Sequence, residues 1–119
     1  MGMHTDLPIY KSSIDLFKLA MGLTRNIPRD LKQIISKQVM SDCLEILTLI
    51  GRANSRQDKW PSLVLVLEKL HQVDLVMRLC AESRFITHDQ QSKTILLTSA
   101  IGKQANAWKK KYTPTAPAT

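Results

Sequence analysis

The chain has 119 residues, of which 44% are hydrophobic and only 4 are glycine, a composition that excludes whole-chain disorder and favours one all-α domain. Its 17 Lys and Arg exceed its 10 Asp and Glu, so the formal net charge is +7 and polyanions such as nucleic acid are favoured partners. No stretch approaches the roughly 18 uninterrupted apolar residues of a membrane-spanning helix, and the first residues include no apolar run suited to a signal peptide, so we expect neither.

The first helix is predicted over residues 8–26. Asp6 is the expected N-cap, and Pro8 suits the first turn because its missing N–H would have no partner there. One helical face is indicated by apolar residues that recur at steps of four, three and four: Tyr10, Ile14, Phe17 and Met21.

The second helix is predicted over residues 28–53, after the turn in NIPRDL. Pro28 pushes Ile27 out of the α region, which ends the first helix, and Pro28 itself suits the first turn of the second. Gly51 is either the C-terminal cap of this helix or part of its last turn.

The third helix is predicted over residues 58–84, with Pro61 in its first turn. The segment LVLVL at 63–67 has branched residues that are typical of a strand, but apolar residues continue at alternating steps of four and three through Cys80. A helix in an isolated bundle keeps one polar face, whereas this segment is apolar nearly all round. We therefore expect a subunit interface formed by Leu63, Val64, Leu65, Val66 and Leu67.

The fourth helix is predicted over residues 88–111. Thr87 and Gln90 have the spacing of a capping box, and the run Lys109, Lys110 and Lys111 places cations at the negative end of the helix dipole. Residues 113–119, with the sequence TPTAPAT, are predicted to be a disordered tail.

The connections between these helices are short, and short connections make sequential helices antiparallel neighbours. Residues 1–112 are therefore predicted to form one up-down-up-down antiparallel four-helix bundle. In that arrangement the second loop and both termini lie at one end, and the first and third loops lie at the other.

The two cysteines, Cys43 and Cys80, occur among apolar residues of different predicted helices. A disulfide framework would need more cysteines in a shorter chain, so buried free thiols are expected. Free thiols are typical of a reducing compartment, and we expect a cytoplasmic protein.

Enzymatic motifs are incomplete in this sequence. Glu68-x-x-His71 is half of a carboxylate di-metal site, but a second copy on another helix is missing. Three residues separate Arg84 from His88, whereas helical-bundle ribonucleases of the HEPN type have four to six. His4 is distant from both other histidines in the sequence. We expect neither catalysis nor a metal or cofactor.

The basic residues concentrate near the predicted helix ends. In the predicted topology the second loop and the end of the fourth helix share one end of the bundle, where Trp60 and Trp108 also lie. Aromatic rings beside cations suit unpaired nucleic acid, because bases stack on the rings and phosphates pair with the cations. The candidate binding residues are Arg52, Arg56, Lys59, Lys109, Lys110 and Lys111, with Arg84 at the third loop.

Five segments, in order and spacing, resemble a known family: LPIYK at 7–11, IPRDL at 27–31, SRQDKWP at 55–61, MRLCAESRFITHDQ at 77–90 and IGKQANAWKKK at 101–111. They are similar to the accessory variability determinant (Avd) proteins of diversity-generating retroelements. That family belongs to a wider group of small four-helix-bundle proteins, which includes those encoded by intervening sequences in bacterial 23S ribosomal RNA genes. The resemblance covers residues 7–111.

The resemblance implies a homopentameric, ring-shaped barrel with a basic surface and no catalysis of its own. It also implies binding to a reverse transcriptase and to nucleic acid, the template RNA or its cDNA, during mutagenic retrohoming. Arg78 matches a basic position on the third helix. The chain departs from the family where relatives tend to carry further Lys or Arg, since Val64, Leu65, Val66 and Asp74 stand there.

Two alternatives stay open at this point. The chain is equally compatible with an RNA-binding bundle of the ribosomal intervening-sequence type that has no reverse transcriptase partner. A nuclease of the helical-bundle kind is the third hypothesis, and RNA cleavage that depends on His88 would distinguish it.

Overall fold

A computed structural model describes residues 7–112 as four α-helices, with one short 3₁₀ helix and no strand among them. The helices are α1 (Pro8–Leu23), α2 (Arg29–Ser55), α3 (Trp60–Glu82) and α4 (His88–Lys111), and the 3₁₀ helix Thr24–Asn26 follows α1. The predicted all-helical architecture with four helices is thereby confirmed. The expected cap Asp6, His4 and the predicted tail at 113–119 lie outside the described residues.

The helix boundaries follow local sequence signals. Pro8 occupies the first turn of α1, as predicted. Pro28 was predicted in the first turn of the second helix, but it is the N-cap residue before α2, with φ −52° and ψ 141°. At the start of α4 the predicted capping box is confirmed: the Gln90 N–H donates to Thr87 Oγ1 (3.1 Å) and the Thr87 N–H donates to Gln90 Oε1 (2.8 Å). Gly51 lies inside the last turns of α2, so it is a helical residue and not the C-terminal cap, which is Arg56.

Each helix packs against two others, so that the pairs α1–α2, α2–α3, α3–α4 and α4–α1 are in contact. Within the described chain, α1 makes no close backbone contact with α3, and α2 makes none with α4. The core fills the space that the four helices enclose. Each helix contributes fully buried side chains, exemplified by Leu16, Ile46, Val73 and Ile101. Each such side chain stabilises the fold by roughly 1.5–3 kcal/mol relative to an exposed one.

A buried carboxylate joins α2 to α3. Asp42 is 1% exposed and accepts hydrogen bonds from Gln38 Nε2 at 3.1 and 3.2 Å. The Lys69 ammonium of α3 lies 3.8 Å from Asp42 Oδ1 and 2.9 Å from Glu45 Oε2. Hydrogen bonding to Glu45 raises the pKa of Lys69, so this cation stays charged beside the buried carboxylate.

A second polar contact joins α3 to α4. Thr98 Oγ1 donates a hydrogen bond of 2.7 Å to Asp74 Oδ1. Burial raises the pKa of Asp74, and the hydrogen bond from Thr98 and the neighbouring His71 oppose that rise only in part. The hydrogen bond from Thr98 and the ion pair of Lys69 with Asp42 thus link α3 to both of its neighbouring helices.

Both cysteines are buried and free, as predicted. Burial, reinforced by the neighbouring Asp42, raises the pKa of Cys43 to about 12. Burial also raises the pKa of Cys80. Both thiols are therefore protonated at neutral pH and poorly nucleophilic.

The end of α3 has a left-handed residue that is not a glycine. Arg84 has φ 64°, in the left-handed region, at a position where glycine is usual. The Arg84 N–H donates to the Ala81 carbonyl (3.0 Å) and the Phe85 N–H donates to the Cys80 carbonyl (2.8 Å). This pair of bonds is a Schellman motif, which ends α3 and turns the chain towards α4.

Two sets of contacts show which helix ends lie together. Asn26, after α1, and Arg84, after α3, line the same cleft. Lys59, immediately before α3, lies beside Trp108 near the end of α4. Among the described residues, no helix is both long and apolar enough to cross a membrane.

Candidate nucleic-acid interface

Cations and aromatic rings meet where α2 ends, α3 begins and α4 ends. We call the six residues that take part the aromatic–cation cluster: Lys59, Trp60, Trp108, Lys109, Lys111 and Tyr112. The Lys59 ammonium lies 5.9 Å from the Trp108 ring centroid and 5.3 Å from that of Tyr112. The Lys109 ammonium lies 5.9 Å from the Trp60 centroid, and that of Lys111 lies 5.9 Å from the Tyr112 centroid. All four distances are within the range of cation–π attraction.

Lys59 has a structural role in this cluster. Its ammonium donates hydrogen bonds to the carbonyls of Ala53 (2.8 Å), Arg56 (2.8 Å) and Asn54 (3.3 Å). These carbonyls belong to the end of α2, where the helix itself leaves them without partners and the dipole favours a positive charge. An ammonium has three donors, and here each has a carbonyl partner. Lys59 therefore holds the site together and has no donor left for a phosphate.

The other predicted cations at this end are disposed differently. Arg52 and Arg56 are exposed on the last turn of α2 and just after it, where the Arg56 N–H donates to the Arg52 carbonyl at 3.1 Å. Lys110 and Lys111 are exposed at the end of α4, whereas Lys109 is half-buried. Exposed guanidinium and ammonium groups on helix ends are suited to phosphate oxygens.

The two tryptophans differ in their surroundings. Trp108 is half-buried and packs against the hydrophobic core. Trp60, the first residue of α3, is 37% exposed and does not belong to the core cluster. Tyr112 is 40% exposed and was missed by the sequence analysis, although its place directly after three lysines was a usable signal.

Arg78 and Arg84 lie away from this cluster. Arg78 is exposed and its Nε lies 3.3 Å from Glu82 Oε1, in an ion pair one helical turn apart. Arg84 follows the C-terminal end of α3. Because α3 has 23 residues, its two ends are about 33 Å apart. The eight predicted binding residues thus form two groups, of which six lie at the aromatic–cation end.

The predicted subunit interface needs correction for two of its five residues. Leu63 and Val66 are 0% exposed and lie among the core residues, so they cannot contact a second chain in this fold. Val64 and Leu67 are half-buried, and Leu65 is 40% exposed. More strongly exposed apolar side chains occur elsewhere: Ile34 (67%), Leu75 (56%), Leu79 (53%) and Leu96 (70%).

The residues of the incomplete enzymatic motifs are exposed. Glu68 and His71 lie on the outer surface of α3. Arg84 and His88 line one open cleft between α3 and α4, together with Asn26 and Gln90. Between residues 7 and 112, no group of three or more His, Cys, Asp or Glu side chains is arranged to hold a metal ion.

No protein-family model matches this chain, and a search of curated proteins found no match to it.

Proposed function

We propose that this chain is a nonenzymatic, basic accessory protein that binds nucleic acid, the template RNA or its cDNA, together with a reverse transcriptase, as its resemblance to the Avd proteins of diversity-generating retroelements implies. One observation carries the RNA-binding part of the proposal. Arg52, Arg56, Lys110 and Lys111 are exposed at the same end as two exposed aromatic rings, Trp60 and Tyr112. Cations with accessible rings nearby are a combination that proteins use to bind unpaired nucleic acid.

The proposal includes the finer architecture, an up-down-up-down antiparallel bundle in a cytoplasmic homopentameric ring. The antiparallel arrangement is supported by the shared cleft of Asn26 and Arg84 and by the contact of Lys59 with Trp108. Self-association is supported by exposed apolar side chains such as Ile34 and Leu96, because large exposed apolar residues often mark interfaces. Mass measurement in solution tests the assembly, and a monomer at working concentration would contradict it.

RNA binding is tested by charge reversal at the end of the molecule that carries the aromatic–cation cluster. Changing Arg52, Arg56 and Lys110 to Glu spares Lys59, whose loss would also disturb α2. We expect weaker binding to single-stranded RNA. The logarithm of the binding constant, plotted against the logarithm of the salt concentration, should have a slope shallower by about 2, since each lost phosphate contact contributes about 0.7. The matched control changes Arg25, Arg29 and Lys32 to Glu, which changes the net charge equally.

The control variant should retain most of the parent affinity, because its three reversals lie around the start of α2, at the opposite end of that helix from Arg52 and Arg56. Equal losses of RNA affinity in both variants would contradict the assignment of the binding surface to the end that carries the aromatic–cation cluster. The same pair of variants, assayed for capture of a reverse transcriptase encoded beside the gene, tests the second partner. Where neighbouring genes encode no reverse transcriptase, the intervening-sequence-type alternative is favoured.

The nuclease alternative has one observation in its favour, since Arg84 and His88 line the same cleft. Incubation of the protein with RNA tests it directly. Cleavage that disappears in a His88→Ala variant would overturn the nonenzymatic proposal.

A further inference from the structure

We propose that the indole ring of Trp60 is a stacking platform for an unpaired RNA base, with the neighbouring phosphates held by Arg52, Arg56 and Lys110. The inference rests on the proposed RNA binding and deepens it, because it names single-stranded RNA as the preferred ligand class and one side chain as the base contact.

The exposure of Trp60 is the first support. Tryptophan is the largest apolar side chain, and burial of such a ring normally contributes strongly to folding. Trp108 follows this rule, since it packs against the core. Trp60 does not, since it is 37% exposed and stays outside the core cluster. Packing among the described residues therefore leaves part of Trp60 exposed to solvent.

The charges around the ring are the second support. The Lys109 ammonium lies 5.9 Å from the Trp60 ring centroid, so a stacked nucleotide would place its phosphate in a positive field. Arg56 precedes Trp60 by four residues, so the chain keeps their Cα atoms within about 14 Å. A base on the ring and a phosphate on the guanidinium are thus within reach of one short strand.

The rigidity of the platform is the third support. Trp60 is the first residue of α3, and its backbone N–H donates a hydrogen bond of 3.4 Å to Asp58 Oδ1. Pro61 restricts the backbone that follows. Lys59 ties the preceding loop to the end of α2 through three carbonyls. Because the backbone is already held in place, only the side-chain torsions of Trp60 lose freedom when a base stacks on the ring.

These features favour an unpaired strand over a duplex. In double-stranded RNA the base faces are covered by neighbouring base pairs, so a protein reaches only phosphates, sugars and groove edges. A duplex would use the cations of this end and leave Trp60 idle. Stacking on an aromatic side chain contributes roughly 1–3 kcal/mol per base, so the contribution of Trp60 is measurable.

The experiment compares two RNA probes, an unstructured oligoribonucleotide of about 12 nucleotides and the perfect duplex of the same sequence. Trp60→Leu should weaken binding of the single strand by about 10-fold or more, and binding of the duplex by less than about 2-fold. Trp60→Phe keeps an aromatic face and should restore most of the loss. Circular dichroism confirms that each variant is folded.

A fluorescence measurement serves as the second readout and does not alter Trp60. The chain has two tryptophans, so a Trp108→Phe variant leaves Trp60 as the only indole. The single strand should quench its emission, and the duplex should quench it far less.

Three results would overturn the inference while the proposed RNA binding survives. The first is an equal loss for single strand and duplex in Trp60→Leu. The second is unchanged binding of both probes together with unchanged Trp60 emission. The third is normal RNA binding with lost capture of the reverse transcriptase, which would assign Trp60 to a protein interface. Absence of RNA binding by the parent protein would overturn the proposed function and this inference together.

Discussion

Lys59 offers the sharpest test of how the aromatic–cation cluster is built. The change Lys59→Met keeps most of the apolar stem and removes the ammonium. The end of α2 then loses its hydrogen bonds from Lys59 to the carbonyls of Ala53, Asn54 and Arg56. The rings of Trp108 and Tyr112 lose a cation within 6 Å. The expected result is a less stable protein with the same fold.

The size of the effect follows from these contacts. A hydrogen bond from a charged group contributes roughly 1.5–3 kcal/mol, but water reaches the end of α2 and replaces much of that contribution. A cation at a helix C-terminus contributes about 0.3–1 kcal/mol, and an exposed cation–π contact contributes about 0.5–1 kcal/mol. We therefore expect the free energy of unfolding to fall by about 2 kcal/mol. For 119 residues this corresponds to a decrease of about 8 °C in Tm.

The assay is thermal and urea unfolding, followed by circular dichroism, with Lys110→Met as the matched control. Lys110 is an exposed lysine at the same end of the molecule, so its loss should change the free energy of unfolding by less than about 0.5 kcal/mol. If the two variants have equal stability, the structural role of Lys59 is refuted.

RNA affinity provides an independent check on the same residue. Because each Lys59 donor has a carbonyl partner, a folded Lys59→Met protein should lose less RNA affinity than a folded Arg56→Met protein. A larger loss in Lys59→Met, measured well below both midpoints, would instead indicate that Lys59 contacts phosphate directly.

Arg84→Gly should raise the free energy of unfolding by about 0.5–1 kcal/mol in urea titrations, because glycine adopts the left-handed backbone without a Cβ penalty. Arg84→Ala should bring no such gain. Equal effects of the two changes would show that the left-handed backbone of Arg84 is not strained. A thiol reagent at pH 8 should label neither Cys43 nor Cys80 in the folded protein and both in denaturant, since burial raises both pKa values; rapid labelling of the native protein would be inconsistent with that burial. Asp74→Asn, which still accepts the hydrogen bond from Thr98, should be no less stable than the parent at pH 7. The raised pKa of Asp74 makes the folded state bind more protons than the unfolded state from about pH 4 upward. The parent should therefore lose stability as pH rises through this window, and the variant should lose less. Urea midpoints at several pH values measure this difference.

The helices themselves were accessible from the sequence, because their signals are local. Apolar residues recurring every three or four positions identify a helical face, and prolines and capping residues identify where a helix starts. The capping box of Thr87 and Gln90 needs only two side chains separated by three positions, and the structure has both of its hydrogen bonds. The burial of Cys43 and Cys80 followed from their apolar neighbours.

The candidate site was only partly predictable, since charge is visible in a sequence but its partners are not. Nothing in the residue type distinguishes Lys59, which caps α2, from Lys110, which is exposed. The distinction arises because the loop returns the Lys59 ammonium to the end of α2, beside α4. Trp60 and Trp108 differ for the same reason: one ring faces the core and the other does not.

Four helices, a net charge of +7 and two buried thiols could be read from the residues alone, because periodicity, composition and capping patterns act over a few positions. The burial of Leu63 and Val66 and the exposure of Leu65 could not, since they depend on how the helices pack. The left-handed backbone of Arg84 likewise depends on how α3 must turn towards α4. Both features depend on where neighbouring helices lie, and that information is distributed over residues far apart in the chain.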